Sequence, residues 1–301
     1  MSLTMKLVPR ARRRWGKRGV AAVIGAAALA WIAGGCSEDQ PGTTGTLVVR
    51  VADTPYPFDL IASAEVTIDR VEAHVLSADH KESAFYVLSE EPRTMNLLDL
   101  RGGVTELLVQ SEVPIGRLDE IRLHVVSATV TLEDGRRFDL DVPSGMQSGL
   151  KVFCSPPVDV AGDLTTELLL DFDVSQSFEA VPASVRRVAD VRQFKLHPVA
   201  RLANLSETGT LSGHVRGDGG TPVDVTDDGP LADATVEVAG GGDAWWTSTD
   251  ASGEWRIMGL PPGGYVVSAS GAGYDGSQRA ANVVVANDVS AVDFLLHRAG
   301  G

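Results

Sequence analysis

Cysteine is almost missing from this sequence: 301 residues contain two, Cys36 and Cys154. A framework of disulfides is thereby excluded, and each folded region must rest on an apolar core. Histidine is sparse as well. His74, His80, His124, His197, His214 and His297 lie far apart, and none stands in a metal-ligand spacing such as HExxH, which argues against a zinc enzyme. The signatures of nucleophilic and phosphate chemistry are absent too. Val142-Pro143-Ser144-Gly145 lacks the flanking glycines of a nucleophile elbow, and no Gly-rich loop opens a helix, so Ser144 and Ser148 read as turn residues. Long apolar runs are lacking: the best one, Val20 to Ala33, has 14 residues, short of the roughly 20 that a spanning helix needs.

Charge is unevenly spread. The first 35 residues hold seven of the 26 Lys and Arg and none of the 40 Asp and Glu, which leaves the remainder at −21. Such a field repels nucleic acid and anionic membrane surfaces. The basic start, the apolar stretch and the small residues Gly34 and Gly35 form an export signal over residues 1–35. Ala33-Gly34-Gly35-Cys36 resembles a lipobox, which implies that Cys36 carries a lipid. Ala33 stands where the motif prefers Leu. The alternative is an ordinary secretory signal that ends near a cysteine. Residues 36–44 then form a flexible polar tether. By analogy with lipoprotein sorting, Ser37 points to the outer membrane of a Gram-negative bacterium. Arg12 to Arg14 lack the apolar pair of a twin-arginine signal, so export through the Sec route is expected.

From residue 45 to 203 the pattern is mainly β, and an antiparallel, sandwich-like domain is expected. Val66 and Ile68, then Val71, Ala73 and Val75, change phase near Asp69-Arg70, as a β-bulge dictates. Ala128, Val130 and Leu132 share a parity with Phe138, Leu140 and Val142. A three-residue loop, Glu133-Asp134-Gly135, pairs Val130 with Phe138 and Ala128 with Leu140; a two-residue turn would place charge on the apolar face. Leu168-Leu169-Leu170-Asp171-Phe172 and Arg192 to Leu196 read as later strands of the same sheet system, and short helical turns fit within Thr94 to Val109 and Pro182 to Ala189. The phrases Val51-Ala52-Asp53-Thr54-Pro55, Val66-Thr67-Ile68-Asp69, Asn96-Leu97-Leu98-Asp99-Leu100, Val142-Pro143-Ser144-Gly145 through Ser148-Gly149-Leu150-Lys151, and Leu170-Asp171-Phe172-Asp173 resemble, over almost all of 45–203, the lipoprotein-domain family DUF4382. That family brings no established activity.

A polar linker, residues 204–208, precedes a second region, 209–298. Short strands with turn chemistry between them predict a small antiparallel sandwich of seven strands. Gly253-x-Trp255-x-Ile257-x-x-Leu260-Pro261-Pro262-Gly263-x-Tyr265 and Gly273-Tyr274 resemble the carboxypeptidase regulatory-like, transthyretin-like module, which implies a sandwich without hydrolase residues. Trp255 replaces the usual Tyr or Phe and should be core. The acidic insert from Asp218 to Asp228 reads as a solvated loop. Each region has its own apolar set, so the two are expected to fold independently.

No catalytic residue is expected. Trp245 and Trp246 are adjacent on a strand, so one should face the core and the other outward, where an indole can stack on a sugar ring; Tyr274 is a third candidate ligand contact. The plainer alternative is a rim Trp covered by a loop. Asp171 and Asp173 on one face, with Asp53, Asp59 and Asp99 at turns, are candidate ligands for Ca2+; solvated or turn-capping carboxylates are the simpler reading, and no other cofactor is indicated. Cys154 reads as a small buried hydrophobe. The expected function is therefore that of a membrane-anchored, non-enzymatic lipoprotein that binds a glycan or an envelope protein, with a passive envelope spacer as the alternative.

Overall fold

The computed structural model describes residues 42–54, 61–79, 81–142, 148–182, 187–219, 228–285, 288–289 and 292–300. Cys36, Asp59, Ser144 and most of the acidic insert lie outside them. Residues Pro41–Gly301 form one compact unit with two hydrophobic cores.

The first core belongs to twelve strands: β1 (Thr44–Thr54), β2 (Ile61–Ser77), β3 (Ser83–Ser89), β4 (Arg93–Asn96), β5 (Glu106–Pro114), β6 (Gly116–Leu132), β7 (Arg137–Leu140), β8 (Leu150–Val160), β9 (Thr165–Asp173), β10 (Phe178–Val181), β11 (Gln193–Leu196) and β12 (Ala200–Asn204). One sheet runs β12-β9-β1-β5. The other runs β3-β2-β6-β7, with β4 on β2 and β8 on β6. Between them Leu47, Val49 and Val51 meet Leu168, Leu170 and Phe172, together with Ile68, Val71, Ile121 and Leu123 of the opposite sheet.

Period-two reading recovers the local detail. The β2–β6 register shifts on both sides of Ile68, between Thr67 and Arg70. This bulge keeps Val66, Ile68, Val71, Ala73 and Val75 all inside. β6 and β7 pair Val130 with Phe138 and Ala128 with Leu140. Gly135 adopts φ 83° in the loop between them, and its N–H donates to the Leu132 carbonyl at 2.9 Å. A 3-10 turn, Leu97–Gly103, and another at Val188–Asp190 fall where helical turns were expected.

Two features depart from the expectation. β1 and β9 pair in parallel, in an otherwise antiparallel pair of sheets; the chain reaches β9 only after crossing the opposite sheet, which permits that direction. Gln193–Leu196 joins no large sheet and pairs with Phe178–Val181 alone.

The second core is a sandwich of β13 (Gly209–Gly217), β14 (Gly229–Pro230), β15 (Thr235–Gly240), β16 (Asp243–Ser248), β17 (Glu254–Leu260), β18 (Gly263–Ser270), β19 (Ser277–Val283), β20 (Asp288–Val289) and β21 (Phe294–Leu296). Seven of these are longer than two residues. Its sheets are β16-β15-β18-β19 and β14-β13-β17, with β20 and β21 parallel to β13. Trp255 is fully buried. Gly213 sits against it: a Cβ there would lie 3.1 Å from the indole nitrogen and 2.3 Å from the Val292 carbonyl. Asp218 is buried rather than solvated. One carboxylate oxygen lies 2.6 Å from His297 Nδ1, and the other accepts from the Arg298 N–H at 3.3 Å.

Candidate functional site

Residues 204–208 form a capped turn. The Asn204 side chain accepts from the Ser206 N–H at 3.0 Å, and its carbonyl accepts from Thr208 Oγ1 at 2.8 Å and the Glu207 N–H at 3.0 Å. The turn sets the two modules against each other along β16 and β17, which are edge strands of the second sandwich. These edges meet β1, β12 and the 3-10 turn of the first module. Small residues permit the approach. A Cβ on Gly103 would meet the Arg256 stem at 2.7 Å, and one on Gly259 would meet Ala203 at 2.9 Å and Leu169 at 3.4 Å. Leu169 is thus covered on the side away from the first core. This explains the apolar triplet Leu168-Leu169-Leu170, in which both faces of the strand are buried.

A cleft of about 310 Å³ opens at this junction. Leu169, Met258, Pro261, Pro262 and Trp245 give it an apolar lining, while Asp171, Arg201, Asn204 and Glu207 supply polar groups. Arg201 is fixed twice: its Nη1 donates to the Ala244 carbonyl at 3.1 Å, and its guanidinium lies 5.5 Å from the centre of the Trp245 ring. Trp245 also meets Tyr265 edge-on at 5.8 Å. A smaller adjoining recess is lined by Asp53, Trp246 and Arg256, among others.

The expected division of the tryptophan pair into one core and one solvent-facing indole needs correction. Trp245 stands opposite Val238 and Trp246 opposite Glu237, so their sides do alternate. Both are half-buried, however, because β16 is an edge and the first module covers it. Tyr274 is half-buried too, against Gly217, where a Cβ would lie 2.6 Å from its ring; it lines neither cleft.

The acidic candidates separate. Asp53 is a buried residue within β1 rather than at a turn, and Asp99 is exposed in the 3-10 turn. Asp173 caps the four-residue helix Val174–Ser177, accepting from the Gln176 N–H at 2.9 Å. Asp171 lines the cleft. Among the described residues no group of three or more His, Cys, Asp or Glu is placed to hold a metal ion. Cys154 is buried at the cleft wall, and burial pushes its thiol up to about 12, with a smaller contribution from Asp119.

Sequence reasoning passed over the outer face of the six-stranded sheet. Across β3, β2, β6 and β8, Phe85, His74, Glu120 and Phe153 stand in one row, with Val87, Glu72, Arg122 and Lys151 in the next. Phe85 is 40% exposed and Phe153 63%. The alternation marked these positions as outward, but which distant strands stand side by side is a matter of topology.

A family model described as a domain of unknown function, DUF4382, matches residues 44–198. One described as a carboxypeptidase regulatory-like domain matches residues 210–297. No curated protein matches the chain. Among solved structures, GBS52, the minor pilin of Streptococcus agalactiae, is 14% identical over 84% of this chain and 97% of that one, with a TM-score of 0.26. The shaft pilin SpaA of Lactobacillus rhamnosus GG is 10% identical over 86% and 99%, at 0.27. For the Bacillus anthracis TIE protein the values are 12%, 87% and 42%, at 0.26. Scores this low carry no argument about function.

Proposed function

The chain belongs to the DUF4382 family, a membership that assigns no activity, and from its own geometry we propose that it is a lipid-anchored, non-enzymatic binding protein of the cell envelope. Its ligand site is the cleft at the junction of the modules, and the ligand is one unit of a neutral glycan. The observation that carries this reading is the convergence of Trp245 and Asp171 with the anchored Arg201 in a cleft of about 310 Å³, near the lower limit of small-ligand sites. Arg201 and Asp171 are cross-strand partners of opposite charge, which suits a ligand without net charge.

The anchor is Cys36, with the outer membrane of a Gram-negative bacterium as its destination. Among the described residues no helix is long and apolar enough to cross a membrane. β1 supports the display this implies. At its start the Gly42 N–H donates to Asp163 at 2.7 Å; at its end Ala52 and Asp53 meet the second module. Eleven residues separate the ends by roughly 35 Å, so β1 links the first described residues to the junction of the modules. A passive spacer is the second reading, favoured by the capped turn and the covered edges that fix the modules together.

Two experiments test the proposal. Cys36→Ala should abolish incorporation of labelled palmitate and leave an uncleaved precursor; a variant that is processed normally and released contradicts the anchor. On a neutral glycan array the wild-type chain should bind and Trp245→Phe should bind less. A chain that binds no glycan while keeping its fold is the spacer.

A further inference from the structure

We infer that the outer face of the six-stranded sheet is a second binding site, for a neutral, hydroxyl-rich polysaccharide, with Phe153 as its stacking platform. This site does not depend on the cleft. Directly opposed residues on neighbouring strands share a face, so the row Phe85, His74, Glu120, Phe153 ends in an exposed ring on either side. Four adjacent strands are three spacings wide, roughly 14 Å, a length that a run of sugar rings fills and a single ring does not.

Between the rings the charges cancel locally. Glu120 Oε1 accepts from Arg122 Nε at 3.0 Å and Nη2 at 2.9 Å. Glu72 accepts from Arg70 Nη2 and lies 3.0 Å from His124 Nε2. Both carboxylates are buried although they stand on the outer face, because these partners and the flanking side chains enclose them. Such pairing fixes the groups in place and removes the long-range pull on a charged partner. Hydrogen-bonding capacity is left on the more exposed partners, Arg70 and Asp119, the latter 2.6 Å from His74 Nδ1. Fixed donors and acceptors beside an aromatic ring are what hydroxyl-bearing rings require, with their polar edges and apolar faces.

The two rings are not equivalent. Arg122 lies 3.9 Å over the Phe85 ring, and His74 packs against it at 4.7 Å, so Phe85 is already engaged. Among the described residues no ring or cation stacks on Phe153. β8 also carries Pro156 and Pro157 close by, and both lack the N–H that an added strand would need. This disfavours a peptide that pairs along this edge and leaves the face itself as the binding surface.

The test is affinity electrophoresis of the full chain in detergent, through gels that contain a neutral glucan, mannan, xylan or galactan, with a polyuronate gel as the charged comparison. At least one neutral polymer should retard the wild type and the polyuronate should not. Phe153→Ala should weaken that retardation about tenfold, on the order of one stacking contact, with the melting temperature unchanged. Phe153→Trp should restore it, and Gln278→Ala, on the second module, should behave as wild type. No retardation in any neutral gel, retention by the polyuronate alone, or a Phe153→Ala variant held as strongly as wild type overturns the inference.

Discussion

A single side chain is governed by what lies over it, and the sequence cannot say what that is. Parity put Trp245 and Trp246 on opposite sides of one strand, correctly, but the first module that half-covers both is far off in sequence. Asp218 looked like one more member of an acidic loop and is buried beside His297. Trp255 was legible as core because the Gly253 turn and the Leu260-Pro261-Pro262 turn fix its phase. Cys154 is governed chiefly by burial, with Asp119 adding to the effect. With the thiol at about 12, almost no thiolate exists near neutral pH, and the thiolate is the nucleophile. Iodoacetamide at pH 8 should leave Cys154 unmodified in the native chain and label it fully in guanidinium; rapid native labelling would contradict the buried environment.

At the scale of elements, alternation was enough wherever one face of a strand is buried. The bulge at Ile68 to Arg70 and the Glu133–Gly135 loop were both readable, because a one-residue slip would have turned buried positions outward. The parallel pairing of β1 with β9 was not readable, since periodicity carries no information about which distant strands are neighbours. The loop gives a test of its own. Gly135 has φ 83° with nothing within 4 Å of the place a Cβ would occupy, so substitution meets conformational strain alone. Gly135→Ala should cost about 1 kcal/mol in urea unfolding, with the fold intact. At Gly213 a Cβ meets the Val292 backbone, and Gly213→Ala should cost several times more, on the order of 3 kcal/mol. Equal losses at the two positions would contradict the packing around Trp255.

For the whole molecule, two cores do not make two independent bodies. The first module covers the β16 and β17 edges, as natural sheets require of edges that would otherwise pair with strangers. A fragment spanning 209–298 should therefore fold on its own core, melt below the full chain, and self-associate with rising concentration in sedimentation velocity. A monomeric fragment as stable as its parent would show that the junction contributes nothing. The cleft exists only because of this junction, and that is why no stretch of sequence displayed it: Asp171, Arg201, Trp245 and Met258 come from four strands of two modules. The most direct test of binding at that cleft is a titration of the isotope-labelled chain with neutral mono- and disaccharides, followed by amide and indole NMR shifts. The cleft reading predicts that at least one sugar moves the Trp245 indole and the amides of Leu169, Asp171, Arg201 and Met258 together. If every sugar leaves them unmoved, or shifts only residues around Phe153, the cleft is not the ligand site.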